Sequence, residues 1–305
     1  MTLSLEAGVG RVPSLVVLGA PRSGTTSLAT YLSAAGLGVG VKDSFYLMDD
    51  DAGLHGPTHV ATHGVSGYLD LFRSGPQPTV EVTAGYVYQK RALEFFAGWK
   101  TPPTFVVIVR DPVERLRSVH RYFTGNLGVL QADLSFDEYV LELKRGGVDV
   151  PDKTVADALS QGEYIKHIRP WVAAFGSDRV VVVNLDDLEE RPADVTSRLV
   201  ALAGGRVDGM LEKYEYRPRN QSFTPQSRAL AAVTSAGRRL MPRGTVRAWG
   251  GEQMRRLQVR KGQANERTAA LRAEFDVTAA ELAAHYAPHN ADLASELGVD
   301  ISRWT

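Results

Sequence analysis

Leu15-Val16-Val17-Leu18-Gly19-Ala20-Pro21-Arg22-Ser23-Gly24-Thr25-Thr26-Ser27-Leu28 is the stretch on which the fold turns. Its first four residues are apolar without alternation, which suits a strand buried on both faces, as in a parallel sheet. Beyond the loop, Leu28, Tyr31 and Leu32 share one helical face, so a helix runs from about Thr25 to Ala35. A strand, a glycine-bounded turn and a helix N-terminus in succession can hold an anionic phosphate on backbone N–H groups. Gly19, Gly24 and Thr26 match the register of the P-loop, but its lysine position is Thr25. The nearest cation is Arg22, inside the loop.

The second buried run, Phe105 to Val109, ends in Arg110-Asp111-Pro112. Asp111 is a good N-cap and Pro112 is tolerated at the first helical position, so a helix starts there. In an open α/β sheet, ligands bind outside the carboxyl ends of the strands, which puts Arg110 on the same rim as the phosphate loop. Ser118, about two turns into that helix, can face back toward the guanidinium, making a second oxyanion site. A P-loop phosphoryl transferase needs the missing lysine and a Mg²⁺-binding acid at a strand end. Here the strand ends in a cation, and the loop suits a phosphate bound without a metal.

Leu37 to Val41, Val80 to Val82 and Val180 to Val183 read as further strands. Helices are expected over Gln89–Trp99, Phe136–Lys144, Glu163–Phe175 and Ala193–Ala203, while Lys42–Gly67, rich in Gly, Asp and His, reads as an excursion. Strands alternating with helices give an α/β class with a P-loop-like central parallel sheet flanked by helices. Beyond Arg206 the pattern turns mostly helical. A single domain over 1–305 is expected, with an α/β nucleotide-binding core at 14–203 and a helical part at 206–305.

Composition narrows the function. Thirty-five basic residues balance thirty-five acidic ones in 305, so no global charge draws the chain to nucleic acid. There is no cysteine, which excludes disulfides, thiolate metal sites and cysteine nucleophiles. No apolar run approaches the ~18 residues of a membrane span. The first residues lack a basic region followed by an apolar core, and a cytoplasmic location is the expectation.

The segments LGAPRSGTTSL and VVIVRDPVERLRSVHRYF resemble the two donor-binding signatures of the sulfotransferase superfamily. GEYIKHIRPWVAAFGSDRVVVVNLDDLEERP and the C-terminal AELAAHYAPHNADLASELGVDISRW are similar to later stretches of that family, so the resemblance covers most of the chain. It implies 3′-phosphoadenosine 5′-phosphosulfate (PAPS) as co-substrate, no metal, and transfer of a sulfuryl group to a hydroxyl or amine. It implies that Arg22 contacts the 5′-phosphate and bridging oxygen, and that Ser23, Gly24, Thr25, Thr26 and Ser27 supply backbone and hydroxyl donors. Arg110 and Ser118 would hold the 3′-phosphate, and Lys261, in Arg260-Lys261-Gly262, would lie near it.

An acceptor hydroxyl needs a base. Lys42-Asp43-Ser44-Phe45-Tyr46-Leu47 stands where family members commonly read Lys-Glu-x-His-Phe-Phe, which makes Asp43 the first candidate. Glu81 is the second, with His55, His59, His63 and His120 behind it. The histidine spacing at 55, 59 and 63 suits a metal on a helix, but Gly56, Pro57 and Gly64 argue against a helix there. Trp249 is the tryptophan best placed for acceptor contact, and a small molecule, glycolipid or saccharide is the expected partner. The rivals are a nucleotide-binding module without turnover and a degenerate P-loop phosphoryl transferase.

Overall fold

The computed structural model describes residues 12–304 apart from 55, 57, 132, 207–213 and 217–266. Among the described residues, five strands form one sheet: β1 (Pro13–Gly19), β2 (Gly38–Val39), β3 (Thr79–Val82), β4 (Thr104–Val109) and β5 (Val180–Asn184). Their order is β2-β3-β1-β4-β5, and every pairing is parallel. The chain winds from β1 toward one edge and then crosses to the other. The carboxyl ends of β1 and β4 therefore lie side by side at the reversal, the usual place for a ligand crevice.

Continuous apolar runs make these strands because both faces are covered. One set of side chains, Val16, Leu18, Phe105, Val107 and Val109, packs against Phe96, Ile165, Ile168 and Trp171. These belong to α3 (Lys90–Ala97) and α7 (Tyr164–Phe175). The alternate set, Leu15, Val17, Val106, Ile108 and Val181, meets Leu28, Leu32, Leu199 and Val200. Those come from α1 (Thr25–Ala34) and α9 (Pro192–Leu202). Full burial of each such Val, Leu or Ile contributes about 1.5–3 kcal/mol relative to exposure.

A third apolar cluster lies beyond the β4 rim. It joins Leu116 and Val119 of α4 (Pro112–Arg121), Tyr139 and Val140 of α5 (Phe136–Arg145), and Leu282 and Tyr286 of α10 (Arg267–Leu297). α5 starts with a capping box between Ser135 and Glu138 and ends at Gly146 with φ 70°. No helix among the described residues is long and apolar enough to cross a membrane.

Several elements differ from expectation. The Lys42–Gly67 excursion contains the start of a helix, α2 (Val60–Asp70). His59 caps it, its Nδ1 accepting from Ala61 N–H at 3.2 Å. Gly64, at φ 61° and ψ −161°, kinks the helix rather than ending it. The helix expected over Gln89–Trp99 is α3, and a 3₁₀ turn that was not expected, Tyr86–Tyr88, precedes its extended N-cap Gln89. The strand over Leu37–Val41 shortens to two residues. Two short helices were not anticipated: α6 (Lys153–Ala156), and α8 (Leu185–Glu190), which Asn184 caps by accepting from Asp186 N–H at 3.2 Å.

Candidate functional site

The rim is built from three segments. In the first, α1 begins with a hydrogen bond from Leu28 N–H to Gly24 C=O at 3.1 Å, so the amides of its first turn point along the axis into the loop. Gly24 sits at φ 92°, a left-handed conformation that glycine adopts without penalty, and a Cβ there would lie 2.7 Å from Leu185 Cδ1. Arg22 adopts φ 67°, which turns its side chain away from the strand axis and toward α4. Ser23 is wholly buried beside Tyr164, so its hydroxyl belongs to the interior rather than to the rim. Thr25 and Ser27 are also buried, and Thr26 is half-buried at the loop mouth.

The second segment is the β4–α4 turn. Ala20 N–H donates to Ile108 C=O at 2.9 Å, which ties the phosphate loop to the end of β4. Asp111 caps α4 as expected, accepting from Val113 N–H at 2.8 Å and Glu114 N–H at 3.2 Å. This cap fixes the direction in which Arg110 and the first two turns of α4 face. Glu114 accepts from Arg117 Nη1 at 2.6 Å and lies 3.5 Å from Arg110 Nη2.

The two oxyanion sites read from the sequence meet at one contact. Arg22 Nε donates to Ser118 Oγ at 3.2 Å, and the guanidinium carbon lies 4.1 Å from the centroid of the Tyr122 ring. Cation–π stacking of this kind holds the planar guanidinium over the ring face. Burial lowers the Arg22 pKa, and repulsion from Arg110 and Arg121 lowers it further, against the pull of Tyr122. A partly desolvated cation beside other cations is a site short of negative charge. Tyr122, Arg117 and Arg121 escaped the sequence reading. Tyr122 sits one turn after Ser118, so helical spacing alone puts it on the same face.

The third segment carries Asp43. Its backbone N–H donates to Val82 C=O at 2.8 Å, and its Oδ1 accepts from Ala84 N–H at 3.1 Å. Gly85 N–H in turn donates to Leu18 C=O at 3.0 Å, so a short stretch of backbone links Asp43 to the strand that enters the phosphate loop. Lys42 Nζ pairs with Asp43 Oδ2, and both side chains are about a third exposed or less. An open cavity of about 450 Å³ lies alongside, lined by Thr26, Thr30, Ser33, Lys42 and Tyr214. It touches both the loop, through Thr26, and the residue paired with Asp43.

Glu81 is an interior residue. It lies within β3, 1% exposed, and Ser44, Tyr68 and Thr83 hydrogen-bond to its carboxyl. Burial pushes its pKa up to about 7, against these hydrogen bonds, which pull it down. His59 binds the C=O of Met48 at 2.9 Å and stands by Arg91, while His120 binds that of Leu134 at 2.9 Å. His63 lies within α2 against Thr62 Oγ1. Trp99 and Trp171 are core residues. His55, Trp249 and Lys261 lie outside the described residues.

A family model described as the sulfotransferase domain matches residues 13–267. Heparan sulfate glucosamine 3-O-sulfotransferase 3A1 of Mus musculus is 25% identical over 208 residues, 67% of this chain and 49% of that protein. The bifunctional heparan sulfate N-deacetylase/N-sulfotransferase 1 of Caenorhabditis elegans is 23% identical over 191 residues, 62% of this chain and 22% of that protein. The chain thus spans about half the length of the first relative and about a fifth of the second. A sulfotransferase from Alicyclobacillus acidocaldarius has the same fold, with a TM-score of 0.63 at 18% identity, covering 96% of this chain and 98% of that one. With the family model spanning most of its length, the chain belongs to the sulfotransferase family.

Proposed function

We propose that this protein transfers a sulfuryl group from PAPS to a hydroxyl or amine of a small-molecule, glycolipid or saccharide acceptor. The observation that carries the reading is the Arg22–Ser118 contact, which joins the loop for a 5′-phosphosulfate to the segment for a 3′-phosphate. Arg22 and the first-turn amides of α1 would face the 5′ end of the donor. Arg110, Arg117 and Ser118 would face the 3′-phosphate, whose presence separates this donor from ATP. The cradle is cationic, and the pKa of Arg22 is lowered chiefly by burial and further by Arg110 and Arg121, a setting that a bound anion would relieve.

Asp43 takes the acceptor's proton as the acceptor oxygen or nitrogen bonds to sulfur and the sulfur–phosphate oxygen bond breaks. The electron pair of that bond leaves on the 5′-phosphate, where Arg22 and the α1 amides stabilise the growing charge. Lys42 pairs with Asp43 and orients its carboxyl on the rim. One domain carries this chemistry in our reading, with α10 packed against α4, α5 and α7.

The test is product analysis with sulfur-labelled PAPS and a panel of heparan-type oligosaccharides, glycolipids and phenols. Labelled product and PAP release are expected on at least one acceptor. Asp43→Asn should then lose roughly a hundredfold or more in turnover while PAP affinity holds. Unchanged turnover removes Asp43 as the base. PAP binding without product on any acceptor favours a nucleotide-binding module.

A further inference from the structure

Ser44 lies between two non-glycine residues in the left-handed region, Asp43 at φ 54° and Phe45 at φ 53°. Each costs of order 1 kcal/mol or more and persists only where the surroundings over-determine it. What over-determines this loop is a buried polar knot. Ser44 Oγ lies 3.3 Å from Glu81 Oε1, 3.3 Å from Thr83 Oγ1 and 3.1 Å from Tyr86 OH. Tyr68 OH donates to the other carboxyl oxygen, Glu81 Oε2. Thr83 Oγ1 is 3.4 Å from Glu81 Oε1, and Tyr86 OH accepts from Leu47 N–H at 3.2 Å.

Every one of these groups is buried, and apart from Glu81 and its two tyrosines none is titratable. The knot draws on the loop itself, α2, β3 and the 3₁₀ turn. Its hub is a carboxylate, which can only accept, ringed by hydroxyls, which can all donate to it. A protonated carboxyl presents one O–H donor, so one hydroxyl of the ring must then accept from it and no longer donates to it.

We propose that Glu81 is a positioning residue for Asp43: as a carboxylate it holds the Ser44 hydroxyl and so fixes the Lys42–Leu47 loop on the rim. The role rests on the reading of Asp43 as the base but concerns the loop and not the donor site. Reciprocity gives the sign of its pH dependence. The Ser44 hydrogen bond lowers the proton affinity of Glu81, so ionised Glu81 must hold Ser44 more tightly than protonated Glu81 does. Tyr68 and Tyr86, both held well above the usual phenol pKa by burial, stay neutral throughout.

Amide hydrogen exchange on the full chain tests this without an acceptor. Ala84 N–H bonds to Asp43 and Leu47 N–H bonds to Tyr86, so both report on the loop. After correction for base catalysis, their protection in the wild type should rise roughly tenfold between about pH 6 and 8, the equivalent of one hydrogen bond. Amides of β4 should move in the opposite direction, because ionising a buried carboxyl weakens the whole fold. A purely structural role would move both sets together. Glu81→Gln should abolish the rise at Ala84 and Leu47; should it not fold, Ser44→Ala should abolish the rise while the β4 trend persists. Flat wild-type protection, or a rise that survives these substitutions, overturns the proposal. PAP titration of Glu81→Gln separates the two readings: wild-type affinity within about twofold is expected, since Glu81 touches no arginine of the rim. Absence of PAP binding in the wild type sinks the donor reading and leaves the exchange result to be judged alone.

Discussion

Arg22 and Ser118, 96 residues apart in sequence, are joined by a 3.2 Å hydrogen bond from Nε to Oγ. The contact brings the loop after β1 against α4, with Arg110 and Arg121 close enough to repel the Arg22 guanidinium. Each element of it can be probed separately.

Arg22→Met removes the loop cation but keeps its aliphatic bulk. The pKa of Arg22 is lowered chiefly by burial and further by neighbouring cations, so its charge costs the fold stability when no anion offsets it. The variant should therefore melt at or above the wild-type temperature while binding PAP roughly 10–100-fold more weakly, the loss of a charge-assisted contact. Calorimetry and thermal melts with and without PAP check it. A lower melting point with intact affinity contradicts the assignment.

Glu114 neutralises part of the rim by pairing with Arg117 and approaching Arg110. Glu114→Gln should free that charge for an incoming phosphate. PAP affinity should rise about two- to fivefold at low salt, the scale of a half-exposed ion pair, with a steeper salt dependence. Weaker binding would mean that Glu114 orients the arginines instead of competing for them.

Gly24→Ala forces a side chain into φ 92° and against Leu185. Destabilisation of about 1–3 kcal/mol is expected in urea unfolding, together with a loss of PAP affinity as the first turn of α1 shifts.

The strand, loop and helix over Leu15–Ala34 and the strands around them were legible because their signals are local. The runs at 15–18, 105–109 and 180–183 are each continuous and apolar, and the Asp111-Pro112 cap sits next to Arg110. The knot around Glu81 was not legible, since Ser44, Tyr68 and Tyr86 come from three segments that only tertiary packing brings together. Glu81 beside valines at a strand end looks like a rim carboxylate, and only the cover supplied by Ser44, Tyr68 and Tyr86 makes it interior. α2 itself was hidden by Gly56, Pro57 and Gly64, which resemble breakers until His59 is seen to cap the helix and Gly64 to kink it.

The pH dependence of stability follows from Glu81. Its folded pKa, about 7, is raised above the ordinary 4.5 by burial. The sign is therefore fixed: its contribution is complete below about pH 4.5 and is lost as the pH rises through about 7. Relative to Glu81→Gln, the wild type should gain about 2–3 kcal/mol between about pH 8 and 5 in urea unfolding. Parallel profiles would show that the carboxyl is hydrated in solution.

A nucleotide phosphorylated at both the 3′ and 5′ positions is the proposed ligand of the rim. Isothermal titration with adenosine 3′,5′-bisphosphate, ADP and ATP, each with and without Mg²⁺, decides whether it binds there. Tight binding of the bisphosphate, unaffected by Mg²⁺ and weakened by Arg110→Ala and Ser118→Ala, is the predicted result. Binding of ATP with Mg²⁺ and none of the bisphosphate would contradict it and return the loop to phosphoryl transfer.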